Sequence, residues 1–118
     1  MSSPLALIIE DDYDLSNIFA QALQSAGFES EIVRTGDAAL VRLAATTPDV
    51  VVLDLHLPRV AGMDILRQIR AEPRLAKTRV IVATADERLA ETLREEADLV
   101  LVKPISFSQL RDLSARLR

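Results

Sequence analysis

Residues 5–27, LALIIEDDYDLSNIFAQALQSAG, contain the pattern that decides the fold. The first five are all apolar, which is typical of a strand covered on both faces of a sheet. After the acidic turn at residues 10–14, apolar side chains recur every three or four residues up to Ala26, which predicts one stripe of a helix. Gly27 follows, a natural residue just past a helix end. The segment therefore predicts one strand–helix unit.

Four more units of the same kind follow along the chain. The further predicted strands are residues 29–33, 50–53, 80–83 and 99–102, and a short fourth helix is predicted at 87–95. Strands that alternate with helices across short connections predict a parallel sheet with helices on both faces. Five units are too few for an eight-fold barrel, so the fold class is α/β with an open, doubly wound sheet.

Composition excludes several classes of function. The absence of cysteine excludes disulfides, thiolate metal sites and a cysteine nucleophile, and the single histidine, His56, excludes sites that need two imidazoles. Three Phe and one Tyr are too few for a platform that stacks single-stranded nucleic acid, and a net charge of -4 argues against DNA binding over the whole surface. The apolar runs have the length of strands and no targeting segment is recognisable, so we expect a cytoplasmic protein.

The negative charge is concentrated near the first predicted strand. Residues 1–33 contain six acids and no lysine or arginine, and four of the six lie in the segment Glu10–Asp14. Three other predicted strands are also followed by polar residues, namely Asp54, Thr84 and Lys103. Because the carboxyl ends of parallel strands meet at one edge of the sheet, these groups are expected to converge.

Such a convergence favours phosphate chemistry. Carboxylates gathered closely repel one another, and a bound divalent cation relieves the repulsion. A ligand set made of oxygens suits Mg²⁺, while an ammonium and a hydroxyl suit the remaining phosphate oxygens. Asp54 follows a wholly apolar strand, and an aspartate carboxylate can act as a nucleophile toward phosphorus.

Taken singly, the same residues have ordinary structural interpretations. Asp12 or Asp14 is expected as a helix cap or turn residue, and Thr84 would serve as the cap of the helix that follows it. Lys103 would simply be the first residue after the fifth predicted strand, and His56 would be a surface loop residue. The inference to function therefore depends on their convergence and not on any one of them.

The motifs and their spacing resemble the receiver domains of bacterial two-component response regulators. The resemblance rests on residues 8–12 (IIEDD), the Asp-x-x-x-Pro-x-x-x-Gly pattern from Asp54 to Gly62, Thr84-Ala85, and Lys103-Pro104. It covers nearly the whole chain and implies a flavodoxin-like fold with strand order 2-1-3-4-5. It also implies a signalling phosphoacceptor, and not an enzyme, that assists its own phosphorylation and dephosphorylation.

By this resemblance, Asp54 would be the phosphoacceptor. Thr84 would hydrogen-bond the phosphoryl group, Lys103 would form an ion pair with it, and the Lys103–Pro104 peptide would be cis. Metal-dependent α/β phosphatases also use a nucleophilic aspartate but generally need a second aspartate two residues later. This chain has His56 there, which argues against that class.

The resemblance also implies a magnesium site. Asp11 and Asp54 would ligate Mg²⁺, Glu10 would bind it through water, and the backbone carbonyl of His56 would supply another ligand. The side chains of His56 and Asp86, each two residues beyond a site residue, would tune the lifetime of the phosphorylated state.

The implied partners are a phosphodonor and a downstream protein. The donor would be a phosphohistidine on a sensor histidine kinase or phosphotransfer protein, and acetyl phosphate would serve as a small substitute. We expect residues 1–118 to be a single receiver domain without an output domain and without direct contact with nucleic acid or a membrane. Homodimer formation stays open, as does the choice between a stand-alone receiver and a piece of a longer regulator or hybrid kinase.

Two features depart from the family pattern. The position three residues before the lysine is usually aromatic and coupled to the threonine, and here it is Val100. Thr84 and Lys103 are separated by a few residues fewer than usual, and Glu96 replaces a usual glycine, so a short or displaced fourth helix is expected. Three functions stay open: a switch of partner binding, a phosphorelay carrier or phosphate sink without conformational output, and a non-phosphorylated interaction module.

Overall fold

The computed structural model describes residues 3–118, which form five parallel strands and five α-helices. In chain order the elements are β1 (Leu5–Ile9), α1 (Tyr13–Ser25), β2 (Glu29–Val33), α2 (Gly36–Ala45), β3 (Val50–Asp54), α3 (Gly62–Ala71), a 3₁₀ turn (Pro73–Leu75), β4 (Arg79–Thr84), α4 (Glu87–Thr92), β5 (Leu99–Val102) and α5 (Phe107–Ala115). The strand order is β2-β1-β3-β4-β5, all neighbours being parallel. The predicted open, doubly wound sheet with flavodoxin-like order is confirmed.

Two hydrophobic layers hold the helices on the sheet. On one face, α1 and α5 pack around Phe19, Leu23 and Leu110. On the other face, α2, α3 and the α4 region pack around residues that include Leu43 and Ile69. The three central strands are buried on both sides, which explains their uninterrupted apolar sequences.

Side-chain caps begin four of the helices. The carboxylate of Asp12 accepts a hydrogen bond from the Leu15 N–H at 2.8 Å, and Thr35 and Ser106 cap α2 and α5 in the same way. The ordinary interpretation of Asp12 is therefore confirmed. The interpretation of Thr84 as the cap of α4 is wrong. The cap is Asp86, whose Oδ1 accepts hydrogen bonds from the backbone N–H groups of Arg88 and Leu89.

The fourth helix ends at Thr92, three residues earlier than predicted. Residues 93–97 follow the helix as irregular turns, and the guanidinium of Arg70 on α3 donates to the backbone carbonyl of Glu96 at 2.7 Å, which ties this segment to α3. The expectation of a short fourth helix is confirmed in the six residues of α4.

An ion cluster joins α3, β4 and β5 at the edge where the strands begin. The carboxylate of Asp98 accepts hydrogen bonds from the Val80 N–H at 2.7 Å and from Arg70 Nη2 at 2.9 Å, and Arg79 Nη1 lies at 3.6 Å. Burial by itself would raise the pKa of Asp98, but the Val80 N–H and the two guanidinium groups outweigh it and hold the pKa below its usual range.

Replacement of Asp98 by Asn is expected to lower the free energy of unfolding by about 1.5 kcal/mol at pH 7, because it removes a charge-assisted hydrogen-bond acceptor. Since the pKa of Asp98 is lower in the folded protein than in the unfolded chain, the stabilisation by its carboxylate is fully present above the unfolded pKa of about 4 and is lost as the pH falls through the lower pKa of the folded state. Urea denaturation of both proteins between pH 7 and pH 3 should show the difference shrinking with acid. A control, Glu91→Gln, breaks only an exposed ion pair with Arg94 and should change stability by less than about 0.5 kcal/mol. A difference that stays constant with pH would contradict this account.

Candidate functional site

The carboxyl edge of the sheet brings together groups from four segments. Glu10 follows β1, Asp54 ends β3, Thr84 ends β4 and Lys103 follows β5. The ammonium Nζ of Lys103 lies 2.8 Å from Oε1 of Glu10 and 3.7 Å from Oδ1 of Asp54. The predicted convergence of Glu10, Asp54 and Lys103 is therefore observed at this edge.

Three carboxylates form the acidic part of this site. Oxygen atoms of Glu10, Asp11 and Asp54 all lie within 4.8 Å of one another. Glu10 and Asp54 are buried, with exposed fractions of 1% and 4%, while Asp11 is exposed to solvent. An all-oxygen donor set with one ligand open to solvent suits Mg²⁺, which favours carboxylates and retains several waters.

The site shifts the protonation of its own residues. Burial, together with the hydrogen bond and the negative charge of Asp54, raises the pKa of Glu10 to about 7 in spite of the Lys103 ammonium. Burial would lower the pKa of Lys103, but the hydrogen bond with Glu10 and the neighbouring carboxylates raise it above its usual value. Lys103 is therefore an ammonium at neutral pH, and it is the counter-charge that the carboxylates have in the apo protein.

Thr84 lies at the same edge, beside Asp54. Because Asp54 pairs with Ala83 in the β3–β4 register, Thr84 extends one residue beyond it on the neighbouring strand. Its hydroxyl is fully buried, and Oγ1 accepts a hydrogen bond from the Asp86 N–H at 3.1 Å. Asp86 therefore connects Thr84 with α4, because its N–H donates to the Thr84 hydroxyl and its carboxylate caps the helix.

The remaining predicted residues lie around this centre. His56 has an exposed side chain, and its backbone N–H donates to Oδ1 of Asp54 at 3.1 Å. The carboxylate of Asp86 bonds the first turn of α4, so one of its oxygens is committed to the helix. Val100 packs into the hydrophobic layer beneath α2, α3 and α4. The Lys103–Pro104 peptide is cis.

Glu31 on the edge strand β2 has a structural role that its local sequence does not indicate. Both of its carboxylate oxygens accept hydrogen bonds from the guanidinium of Arg42 on α2, which ties the edge strand β2 to that helix. The two residues are eleven apart, so no local pattern links them. The signal in the sequence that could have predicted this ion pair is the presence of opposite charges on a strand and on the helix that follows it.

Comparison with known families shows which family the chain belongs to. The family model of the response regulator receiver domain matches residues 6–115. The chain belongs to this family. Within residues 3–118, none of the helices of this receiver is long and apolar enough to cross a lipid bilayer.

Similar proteins include full-length regulators. The receiver is 34% identical over 110 residues, 91% of this chain, to the phosphate regulon transcriptional regulatory protein PhoB of Rhizobium meliloti. It is 37% identical over 115 residues, 95% of this chain, to the sensory transduction protein RegX3 of Mycobacterium tuberculosis. In each case it spans 48% of the relative, so it corresponds to about half the length of these proteins.

A solved structure agrees with the fold. The CheY-like response regulator receiver domain from Methylobacillus flagellatus superposes with a TM-score of 0.87 at 28% identity, covering 99% of this chain and all of the other. Receiver domains of this family act as signalling phosphoacceptors, and in this chain Glu10, Asp11 and Asp54 form an acidic cluster at the carboxyl edge of the sheet.

Proposed function

We propose that the protein accepts a phosphoryl group from a phosphohistidine onto Asp54, in the presence of Mg²⁺, and thereby changes how it binds a partner protein. The observation that carries the proposal is the Lys103 ammonium, set between the carboxylates of Glu10 and Asp54 at 2.8 and 3.7 Å. A nucleophilic carboxylate beside a fixed cation and an oxygen-ligand metal site is the arrangement that phosphoryl transfer needs.

The residues present fit a magnesium ion. The carboxylates of Asp11 and Asp54 and the backbone carbonyl of His56 would hold it directly, and Glu10 would hold it through water. Bound there, Mg²⁺ would supply positive charge for the oxygens of the transferring phosphoryl group. The cluster of carboxylates within 4.8 Å supports this assignment, because their mutual repulsion is relieved by a cation.

The chain's own residues then perform the transfer by position and charge. A carboxylate oxygen of Asp54 forms the new bond to phosphorus while the bond between phosphorus and the donor's imidazole nitrogen breaks. The electron pair of that bond leaves with the imidazole. Lys103 Nζ neutralises a phosphoryl oxygen, and the Thr84 hydroxyl donates a hydrogen bond to another.

The proposal is tested by incubating the protein with acetyl phosphate and following its intact mass. One added phosphoryl group is expected with Mg²⁺ and none with excess EDTA. Failure to form the adduct with acetyl phosphate, and also with a panel of phosphorylated histidine phosphotransfer domains, would overturn the proposal in favour of a non-phosphorylated interaction module.

A phosphorelay carrier or phosphate sink is a second candidate function, and two observations favour it. Val100 provides no aromatic ring to couple with Thr84, and the segment after α4 is tied to α3 through the bonds of Arg70 to Glu96 and Asp98. Against it, the Asp86 N–H joins Thr84 Oγ1 to the cap of α4, so a moving hydroxyl would disturb that helix. Hydrogen exchange of the phosphorylated protein distinguishes the two candidate functions. In a switch, the backbone amides of α4 should exchange faster after phosphorylation; in a carrier or sink, their exchange should not change.

The side chains of His56 and Asp86 are proposed to set the lifetime of the aspartyl phosphate. Both follow a site residue by two positions, and His56 is exposed where water would approach Asp54. Replacement of both by Ala is expected to change the half-life of the adduct several-fold. The half-life is measured from the decay of the phosphorylated mass after the donor is removed. Asp86→Asn removes the charge but keeps a side-chain oxygen that can cap α4, so it separates the two effects. An unchanged half-life in the double variant would refute the proposal.

A further inference from the structure

Beside the acidic site, β2 ends at an arginine whose side chain lies against the start of α1. Val33 pairs with Ile9, and its carbonyl accepts from the Glu10 N–H at 3.1 Å, so Arg34 has on β2 the place that Glu10 has on β1. The guanidinium of Arg34 donates from Nη2 to Oγ of Ser16 at 3.0 Å, and its carbon lies 4.7 Å from the centre of the Tyr13 ring.

These contacts fix the first turn of α1. Ser16 is completely buried, and its hydroxyl donates to the backbone carbonyl of Tyr13 at 2.8 Å. Arg34 therefore holds Tyr13 at two points, by stacking on its ring and, through Ser16, by the bond to its carbonyl. Tyr13 is 67% exposed even with the guanidinium against its ring, so few other contacts cover this side chain.

The first turn of α1 is one residue away from Asp11 of the acidic cluster. Between Asp11 and Tyr13 stands only Asp12, whose N–H donates to Oε2 of Glu10 at 3.3 Å and whose carboxylate caps the helix. Asp11 is exposed, so packing does little to hold its carboxylate in place. Its position depends on the backbone on either side, which is β1 on one and the turn that Arg34 holds on the other.

We propose that Arg34 is a positioning residue: it anchors the first turn of α1 and thereby keeps the Asp11 carboxylate in place for a divalent cation. This inference rests on the proposed function and deepens it. The positioning role of Arg34 and its positive charge have opposite effects on Mg²⁺ affinity, because a guanidinium close to a cation site repels the cation. If charge alone mattered, removal of Arg34 would tighten Mg²⁺ binding; if position matters, removal weakens it.

The stability of the fold is not expected to confuse the result. Nε of Arg34 is buried and has no hydrogen-bond partner among the residues that the structure describes. An unpaired buried donor is costly, so replacing the arginine by an unbranched apolar side chain of similar length is close to neutral for folding. Arg34→Met is therefore the informative variant.

The test is the dissociation constant of Mg²⁺, measured by calorimetry for the parent protein, Arg34→Met and Ser16→Ala. Residues that orient metal ligands typically contribute tenfold or more to affinity, and for this indirect contact we expect Arg34→Met to bind about fivefold more weakly and Ser16→Ala to show part of that loss. Ser16→Ala removes no charge, so weaker binding by both variants points to position. The double variant should bind no more weakly than Arg34→Met, because Ser16→Ala breaks one of the two contacts that Arg34→Met removes. Tyr13 is the single tyrosine in a chain without tryptophan, so its fluorescence follows the same titration.

Each outcome decides a separate question. A parent protein that binds no Mg²⁺ would overturn the proposed function itself. A parent that binds while Arg34→Met binds equally or more tightly would overturn only the role of Arg34. Asp98→Asn is the control for lost stability, since it weakens the fold at the opposite edge of the sheet. If it weakens Mg²⁺ binding as much as Arg34→Met does, the effect is general and the inference fails.

Discussion

Replacement of Asp54 by Asn is expected to abolish phosphorylation and, without metal, to make the protein more stable. The amide is a poor nucleophile, so no bond to phosphorus forms. The gain in stability follows from the crowding of Glu10, Asp11 and Asp54 within 4.8 Å, where each pair of charges repels. The variant loses two repulsions and keeps the hydrogen-bond acceptor that faces the His56 N–H.

The expected gain is about 1 kcal/mol in EDTA at pH 8, since the lost attraction to Lys103 at 3.7 Å offsets part of the relief. Addition of Mg²⁺ should narrow the gap, because the parent binds the ion more tightly and is stabilised by it. Urea denaturation with and without Mg²⁺ measures both effects, and intact mass measures the adduct. Asp14→Asn, which removes an exposed acid nearby, should keep phosphorylation and change stability by less than about 0.5 kcal/mol. A phosphorylated Asp54→Asn protein would show that another residue accepts the phosphoryl group.

The fold was predictable because its signals are local. The apolar runs at β1, β3 and β4 are buried on both faces, and that requirement is visible in each run without knowledge of its neighbours. The strand order came from the resemblance to the family and was confirmed by the register of the sheet. The convergence of Glu10, Asp54 and Lys103 followed from the same topology, since it depends only on where parallel strands end.

Features that depend on distant contacts were not predictable. The segment after α4 is tied to α3 by Arg70, which lies 26 residues before the carbonyl that it binds. The contact that supports α1 joins Arg34 and Ser16, which are 18 residues apart, so no local pattern links them. The raised pKa of Glu10 depends on burial beside Asp54, whereas the sequence showed an acid in a run of acids. In each case the physical cause is a partner brought near by the fold.

Gly62 provides the second large effect, because the start of α3 lies directly on the backbone that carries Asp54, the proposed phosphoacceptor. The Gly62 N–H donates to the carbonyl of Leu55 at 3.2 Å. A Cβ at this position would lie 2.5 Å from the backbone oxygen of Asp54 and 2.6 Å from the Cα of Leu55. Both neighbours are main-chain atoms between β3 and the loop, so they cannot turn aside as a side chain would.

Gly62→Ala is therefore expected to lower the free energy of unfolding by about 3 kcal/mol, as overpacking against a fixed backbone does. This loss exceeds the roughly 0.5–1 kcal/mol that alanine otherwise gains over glycine in a helix. Any variant protein that folds must move the Asp54 carbonyl, and a displacement of the nucleophile should slow adduct formation with acetyl phosphate by about tenfold or more. Arg67→Ala, an exposed change on the same helix, is the matched control and should leave both measurements near the parent values. If Gly62→Ala kept normal stability and a normal rate, α3 would have to be free to move outward, and the close approach to Asp54 would not be needed to hold the phosphoacceptor in place.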